Sequence, residues 1–184
     1  DIDRDVGALI KEITTYLYGP AAPLMRTYLE ELEQGRKDMT RLPPGVTYKS
    51  RIYADGIFPY LTPANIHRWQ TYFDKMEERL PEQPNRLLNN VRYVRRELDF
   101  ATLWKWFALQ KKYPHRYTDH KTVADRIRYI NHAKPQPWMD DGNANRTAWE
   151  KESGKAFNRQ VNPMGTKALE DFVKKIEAGS QEKP

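Results

Sequence analysis

The stretch YLYGPAAPLMRTYLEEL, Tyr16 to Leu32, sets the fold class. Gly19 stands where a helix ending at Tyr18 needs a left-handed residue, and Pro20 stands where the next helix tolerates a missing N–H. One helix stops there and another starts with almost no loop. The apolar residues keep helical spacing on both sides of the break: Val6, Leu9, Ile10, Ile13 and Leu17 before it, and Leu24, Met25, Tyr28, Leu29 and Leu32 after it. Two amphipathic stripes joined this tightly predict an αα-hairpin.

A chain of 184 residues is long enough to bury most of its apolar side chains. Hydrophobic residues at 39%, charged residues at 30% and only 9 glycines suit helices with long polar faces better than a strand-rich sandwich. Lys and Arg number 31 against 25 Asp and Glu, a net charge of +6. Because the acids are interleaved with the bases, this is a solvated surface and not a polyanion track. With no cysteine, disulfides, thiolate nucleophiles and cysteine metal sites are all excluded. No run approaches the ~20 apolar residues of a bilayer crossing, so no membrane span is expected. Asp1-Ile-Asp-Arg-Asp5 lacks the basic start and apolar core of a signal peptide. An opening on helix-starting residues without methionine suggests a processed or excised piece of something longer.

Asp3 can cap the first helix, and the second fades after Gly35. From Arg36 to Leu61 the periodicity disappears. Within that insertion Tyr48 to Tyr60 carries six aromatic or branched residues around Asp55-Gly56, which reads as a short ribbon or a long ordered loop. Thr62-Pro63 starts a third helix with a capping hydroxyl and a proline at the first position. Its seam is Ile66, Trp69, Phe73, Met76 and Leu80, and Pro81 and Pro84 end it. The longest helical segment runs from Asn85 to about Lys112. Leu87, Leu88, Val91, Val94 and Leu98 lie on one face, continued by Phe100, Leu103, Trp104 and Phe107, and this width marks a central helix. Tyr113-Pro114 breaks it. Asp119 can cap a shorter helix with the face Val123, Ile127 and Ile130; a weak helix surrounds Trp149 to Phe157; and Asn162-Pro163 opens the last one, whose face is Leu169, Phe172, Val173 and Ile176. The expected fold is an all-α, irregular bundle of about five to seven helices with one aromatic-rich loop or short β-ribbon insertion. Residues 1–178 form a single helical domain, with 36–61 as the irregular insertion and 134–145 as a loop, and 179–184 form a frayed tail.

Candidate chemistry is sparse. Asp141-x-Asn143-x-Asn145-x-Thr147 with Glu152 has the oxygen spacing of a calcium loop, but Arg146 occupies the sixth position, where the sharp turn needs Gly. An Asn-rich turn capping a helix is the better reading. His67, His115, His120 and His132 never fall at metal-ligand spacing and read as isolated surface histidines. Asp74, Glu77, Glu78, Glu97 and Asp99 alternate with Lys and Arg as ordinary exposed pairs. With no glycine-rich phosphate loop and no Gly-x-Ser-x-Gly elbow, no cofactor, metal site or catalytic motif is expected in this chain. Arg92 to Arg96 and Lys111 to Arg116 make a basic aromatic face that could serve a protein partner or nucleic acid, although the neighbouring acids disfavour nucleic acid.

The run Tyr18-Gly19-Pro20-Ala21-Ala22-Pro23-Leu24-Met25-Arg26-Thr27-Tyr28-Leu29 resembles a segment of large, secreted, glycoside-hydrolase-like proteins of bacteria. These carry a domain of unknown function loosely related to α-glucuronidases. In them a Tyr-Gly-Pro-Ala-Ala helix junction opens the helical region after the barrel, a Leu-Thr-Pro-like start follows, and then an Arg-rich aromatic helix; Leu61-Thr62-Pro63 and Arg92 to Trp106 fit that order. The resemblance implies a helical accessory domain of a secreted or periplasmic carbohydrate-active protein, packed against an upstream catalytic-type barrel and bordering its glycan site. Catalytic carboxylates would belong to the barrel, so none is carried over to this chain. If the insertion reaches the partner or its sugar, Arg51, Tyr53, Asp55, Phe58 and Tyr60 are the contact residues; the alternative is that these rings cover the helix seam.

Overall fold

The computed structural model describes residues 5–38, 58–81, 86–132 and 163–179. Among these there are seven α-helices and no strand: α1 (Val6–Tyr18), α2 (Ala22–Asp38), α3 (Pro63–Glu78), α4 (Arg86–Trp104), α5 (Trp106–Lys112), α6 (His120–His132) and α7 (Pro163–Glu177). The expected all-α bundle is the observed architecture. The calcium-like pattern at 141–152, the helix around Trp149, the loop at 134–145 and residues 180–184 of the tail lie outside the described residues, as does the insertion from 39 to 57.

The α1–α2 junction is built as its residues dictate. Gly19 has φ +51° and ends α1, and Gly19–Ala21 forms a single 3-10 turn before α2. A β-carbon at Gly19 would stand 2.7 Å from Leu87 Cδ1, so the glycine answers both a left-handed backbone and a close approach by α4. The turn is pinned to α4 by two further contacts, Asn90 Nδ2 donating to the Leu17 carbonyl at 2.8 Å and Arg86 Nη2 to the Tyr16 carbonyl at 3.0 Å. This geometry decides which side of α1 faces inward. Its one buried residue is Thr14, whose hydroxyl accepts from Arg26 Nη1 of α2 at 3.0 Å. Val6, Ile10 and Ile13 are 67%, 50% and 47% exposed. The hairpin therefore forms, but not by burying the stripe that suggested it. The α1 cap is Asp5, which accepts the Gly7 N–H at 2.9 Å; Asp3 lies outside the described residues.

Two further boundaries differ from the sequence reading. α2 continues to Asp38, its last turn stapled by Arg36 on Glu33 and by Gln34 on Asp38 at 2.8 Å. The segment 85–112 is two helices offset at Lys105, where tertiary packing overrides propensity. The offset turns Trp106 into the core, edge-on to Tyr117 at 5.9 Å and His120 at 5.8 Å. Lys105 keeps both of its own backbone bonds there, its N–H reaching the Ala101 carbonyl and its carbonyl accepting from Leu109.

α4 is the central helix and touches α1, α3, α5, α6 and α7. The α3 seam is buried throughout, from Ile66 to Leu80. Thr62 accepts from Asn65 N at 3.1 Å to start α3, and Asp119 accepts from Lys121 N at 2.9 Å to start α6, both as their sequences require. α2 is tied to α3 by Glu31, which accepts from Trp69 Nε1 at 2.7 Å, Arg68 Nη2 at 2.7 Å and the Tyr72 hydroxyl at 3.0 Å.

Trp69 and Leu98 lie in this core, so Trp69→Ala and Leu98→Ala should each cost about 2–5 kcal/mol in urea unfolding. Val6→Ala should change stability by less than about 0.5 kcal/mol. The reverse order would place the wrong faces inside.

Candidate functional site

The polar residues of α3, α4 and α6 that look like surface pairs in sequence are drawn inward. Arg95 of α4 is buried, and its hydrogen-bond partners lie on α3. Its Nε and Nη2 donate to Gln70 Oε1 at 3.0 and 2.7 Å, Nη2 also donates to Asp74 Oδ1 at 2.6 Å, and Nη1 donates to Glu77 Oε1 at 2.7 Å. Asp99, one turn on and 1% exposed, takes a two-pronged bond from Arg126 of α6, with Nε at 3.0 Å and Nη2 at 2.6 Å, and a third bond from Gln70 Nε2 at 2.8 Å. Arg92 closes on Glu77 Oε2 at 2.9 Å, and Arg116 closes on Asp74 Oδ2. Arginines and carboxylates thus alternate across three helices. The burial of Asp99 and the inward turn of Asp74 and Glu77 correct the expectation of exposed pairs. A charge inside a protein must find an opposite charge and fill its hydrogen-bonding positions, and each member here does so from a neighbouring helix.

The electrostatics follow from this arrangement. Burial works against the Arg95 cation, but Asp99, Glu77 and Asp74 outweigh it and hold the guanidinium charged beyond its ordinary range. Burial also raises the Glu31 carboxyl, and the bonds from Trp69, Arg68 and Tyr72 more than reverse it, leaving it below the usual carboxylate value. Burial and the Arg116 cation push the His67 imidazole below its ordinary pKa, against a smaller opposing pull from Asp74, and the ring stacks on Tyr113 with centroids 3.9 Å apart. His120 is half-buried against Trp106. These two histidines are packing residues and not isolated surface groups. Among the described residues no three of His, Cys, Asp and Glu gather to hold a metal ion, and no helix is long and apolar enough to cross a membrane.

Two cavities open on either side of the array and share Arg95, Thr122 and Arg126 as a common wall. One, of about 380 Å³, lies between α4 and α6 with Arg92, Tyr129 and Ile130 on its other sides. The second, of about 420 Å³, reaches under the segment joining α5 to α6 and is bounded by Trp106, Arg116 and Tyr117. The basic aromatic face read from sequence is divided by this arrangement: Arg92 and Arg95 bond α3 carboxylates, while Arg96 covers the exposed Tyr93 ring at 5.0 Å.

Of the contact residues suggested by the sequence, Arg51, Tyr53 and Asp55 lie outside the described residues. Phe58 and Tyr60 are together, edge-on at 5.9 Å, and half-buried. Tyr60 leans on Trp69 and on Gly35, where a β-carbon would meet Tyr60 Cβ at 2.7 Å; its carbonyl accepts from Asn65 Nδ2 at 2.8 Å. Tyr60 thus packs across α2 and α3, with Phe58 against its ring. The sequence reading does not single out Gln70 or Arg126, and it places Arg95 on an exposed basic face, whereas Arg95 is buried. Their signal was present as polar residues at core positions of an otherwise apolar register. No protein-family model, curated protein or solved structure matches the chain.

Burial lifts the Tyr117 hydroxyl from 10.0 to about 12 against the opposing Arg116 cation, and it lifts Tyr28 further, with Tyr60 and Glu97 adding to the effect. The unfolded chain therefore loses these protons first, and stability should fall as pH rises from 10 towards 12. Glu31 acts at the other end. Its contribution is present above the usual carboxylate range and is lost as pH falls through its depressed value. Melting temperature against pH checks both limbs, and Tyr117→Phe should flatten part of the alkaline one.

Proposed function

We propose that this chain is a helical accessory domain of a larger, extracytoplasmic carbohydrate-active protein, docked through the outer face of α1 against a catalytic-type barrel. One observation carries the reading. Val6, Ile10 and Ile13 keep a helical stripe of apolar side chains that the domain itself leaves largely in water, while Thr14, at the edge of that stripe, faces the bundle. Grouped apolar residues left in water on one helix face suit contact with another surface. The occupant is the barrel because the Tyr18-Gly19-Pro20-Ala21-Ala22 junction is the feature that resembles the start of the helical region following a barrel. α1 is then the element nearest to it.

The pinning of that junction by Gly19, Leu87, Asn90 and Arg86 supports a rigid seat over a flexible tether. Glycan contact by the aromatic insertion belongs to the same reading, with Phe58 and Tyr60 at its described edge. No catalytic role is assigned to the domain.

The test is Ile10→Asp with Ile13→Asp in the full-length gene product. Calorimetry should change from one joint transition to two separate ones, with the helical domain's own melting nearly unchanged, since both residues are exposed. A joint transition that survives the substitutions, or a gene product without a barrel, would refute the reading.

A further inference from the structure

The cavity between α4 and α6 has a chemistry that the docking reading does not use. Its two inner carboxylates, Glu77 and Asp99, have already spent their oxygens, and the third, Asp125, is exposed and holds Arg128 through Oδ1. Glu77 holds Arg95 on one oxygen and Arg92 on the other, and Asp99 holds Arg126 on both. The arginines are not equally spent. Among the described residues Arg92 bonds only through Nε, which leaves both of its Nη groups, and Arg126 bonds through Nε and Nη2, which leaves Nη1. Their side chains are 35% and 30% exposed, so these donors are within reach of a ligand. Beside Asp125, the remaining lining is Thr122, the Tyr129 ring at the rim and Ile130.

We propose that this cavity of about 380 Å³ binds a small oxyanion ligand with an apolar body, its carboxylate or phosphate group held by Arg92 and Arg126 and its body against Tyr129 and Ile130. A neutral polyol would need acceptors as well as donors, and the inner carboxylates are committed to arginines. A cation would meet three guanidiniums. An anion takes up the donors left over. Each guanidinium is oriented by the carboxylate behind it, so the clamp is formed before the ligand arrives and little ordering is needed on binding. The volume suits a body no larger than a small ring compound. This inference is independent of what α1 docks against.

The experiment is calorimetric titration of the full chain with sodium benzoate and, separately, inorganic phosphate, at ionic strength matched with sodium chloride. One saturable site is expected for at least one probe. Saturation by benzoate alone identifies a carboxylate on an apolar body, and saturation by phosphate alone identifies a phosphate ester. Arg92→Gln should weaken binding about tenfold and Tyr129→Ala about threefold or more, while Lys111→Gln, an exposed cation away from the cavity, should leave it within about twofold. Should Arg92→Gln fail to fold, Tyr129→Ala on the rim still decides. Absence of saturation by both probes overturns the proposal, as does affinity indifferent to Tyr129 or equally sensitive to Lys111.

Discussion

Arg95 is a permanent cation at a core position, and the placement of three helices follows from that. A guanidinium cannot shed its proton to escape burial, so it must be surrounded by acceptors. α3 supplies them from Gln70, Asp74 and Glu77, successive turns of one helix face, which sets the level of α3 against α4. Asp99, one turn further along α4, carries the requirement to α6 through Arg126. Apolar packing alone tolerates sliding and repacking, whereas an alternating ion array is satisfied at one register.

The apolar core and the polar array divide the work. Trp69, Phe73, Met76, Val91 and Leu103 supply the burial that drives folding, while Glu31 and Arg95 decide which neighbours meet. Glu31 does for α2 and α3 what Arg95 does for α3 and α4, gathering three donors from one face of α3. A junction with a left-handed glycine fixes α1, and its consequence is an apolar face directed outward. The same polar array leaves arginine edges unspent where it meets the α4–α6 cavity. Both candidate binding features are by-products of how the interior was satisfied.

Much of the fold is legible in the chain because turn and cap chemistry is local. Gly19, Thr62-Pro63 and Asp119 each mark a boundary through bonds within a few residues of themselves. The apolar side chains inside α3 and α7 follow from spacing alone. The polar interior was harder to read because it depends on partners distant in sequence. Leu88, Val91, Arg95, Leu98 and Thr102 recur at spacings of three and four, so Arg95 and Thr102 occupy seam positions of α4, and Gln70 follows Ile66 by one turn on α3. Taken singly, charged residues on a helix suggest a solvated face; taken in register, they marked the array. α1 shows the opposite case: a regular stripe tells that something should cover it, but not that the cover comes from its own hairpin partner.

The most direct test of the array is a double-mutant cycle between Arg95→Met and Glu77→Gln, followed by denaturant unfolding. If the ion array holds α3 to α4, each single change should destabilise by about 2 kcal/mol or more, and the double variant should cost at least about 1 kcal/mol less than their sum. Costs that add to within about 0.5 kcal/mol would show that Arg95 and Glu77 act independently, contradicting the array as the constraint on which the helix arrangement depends.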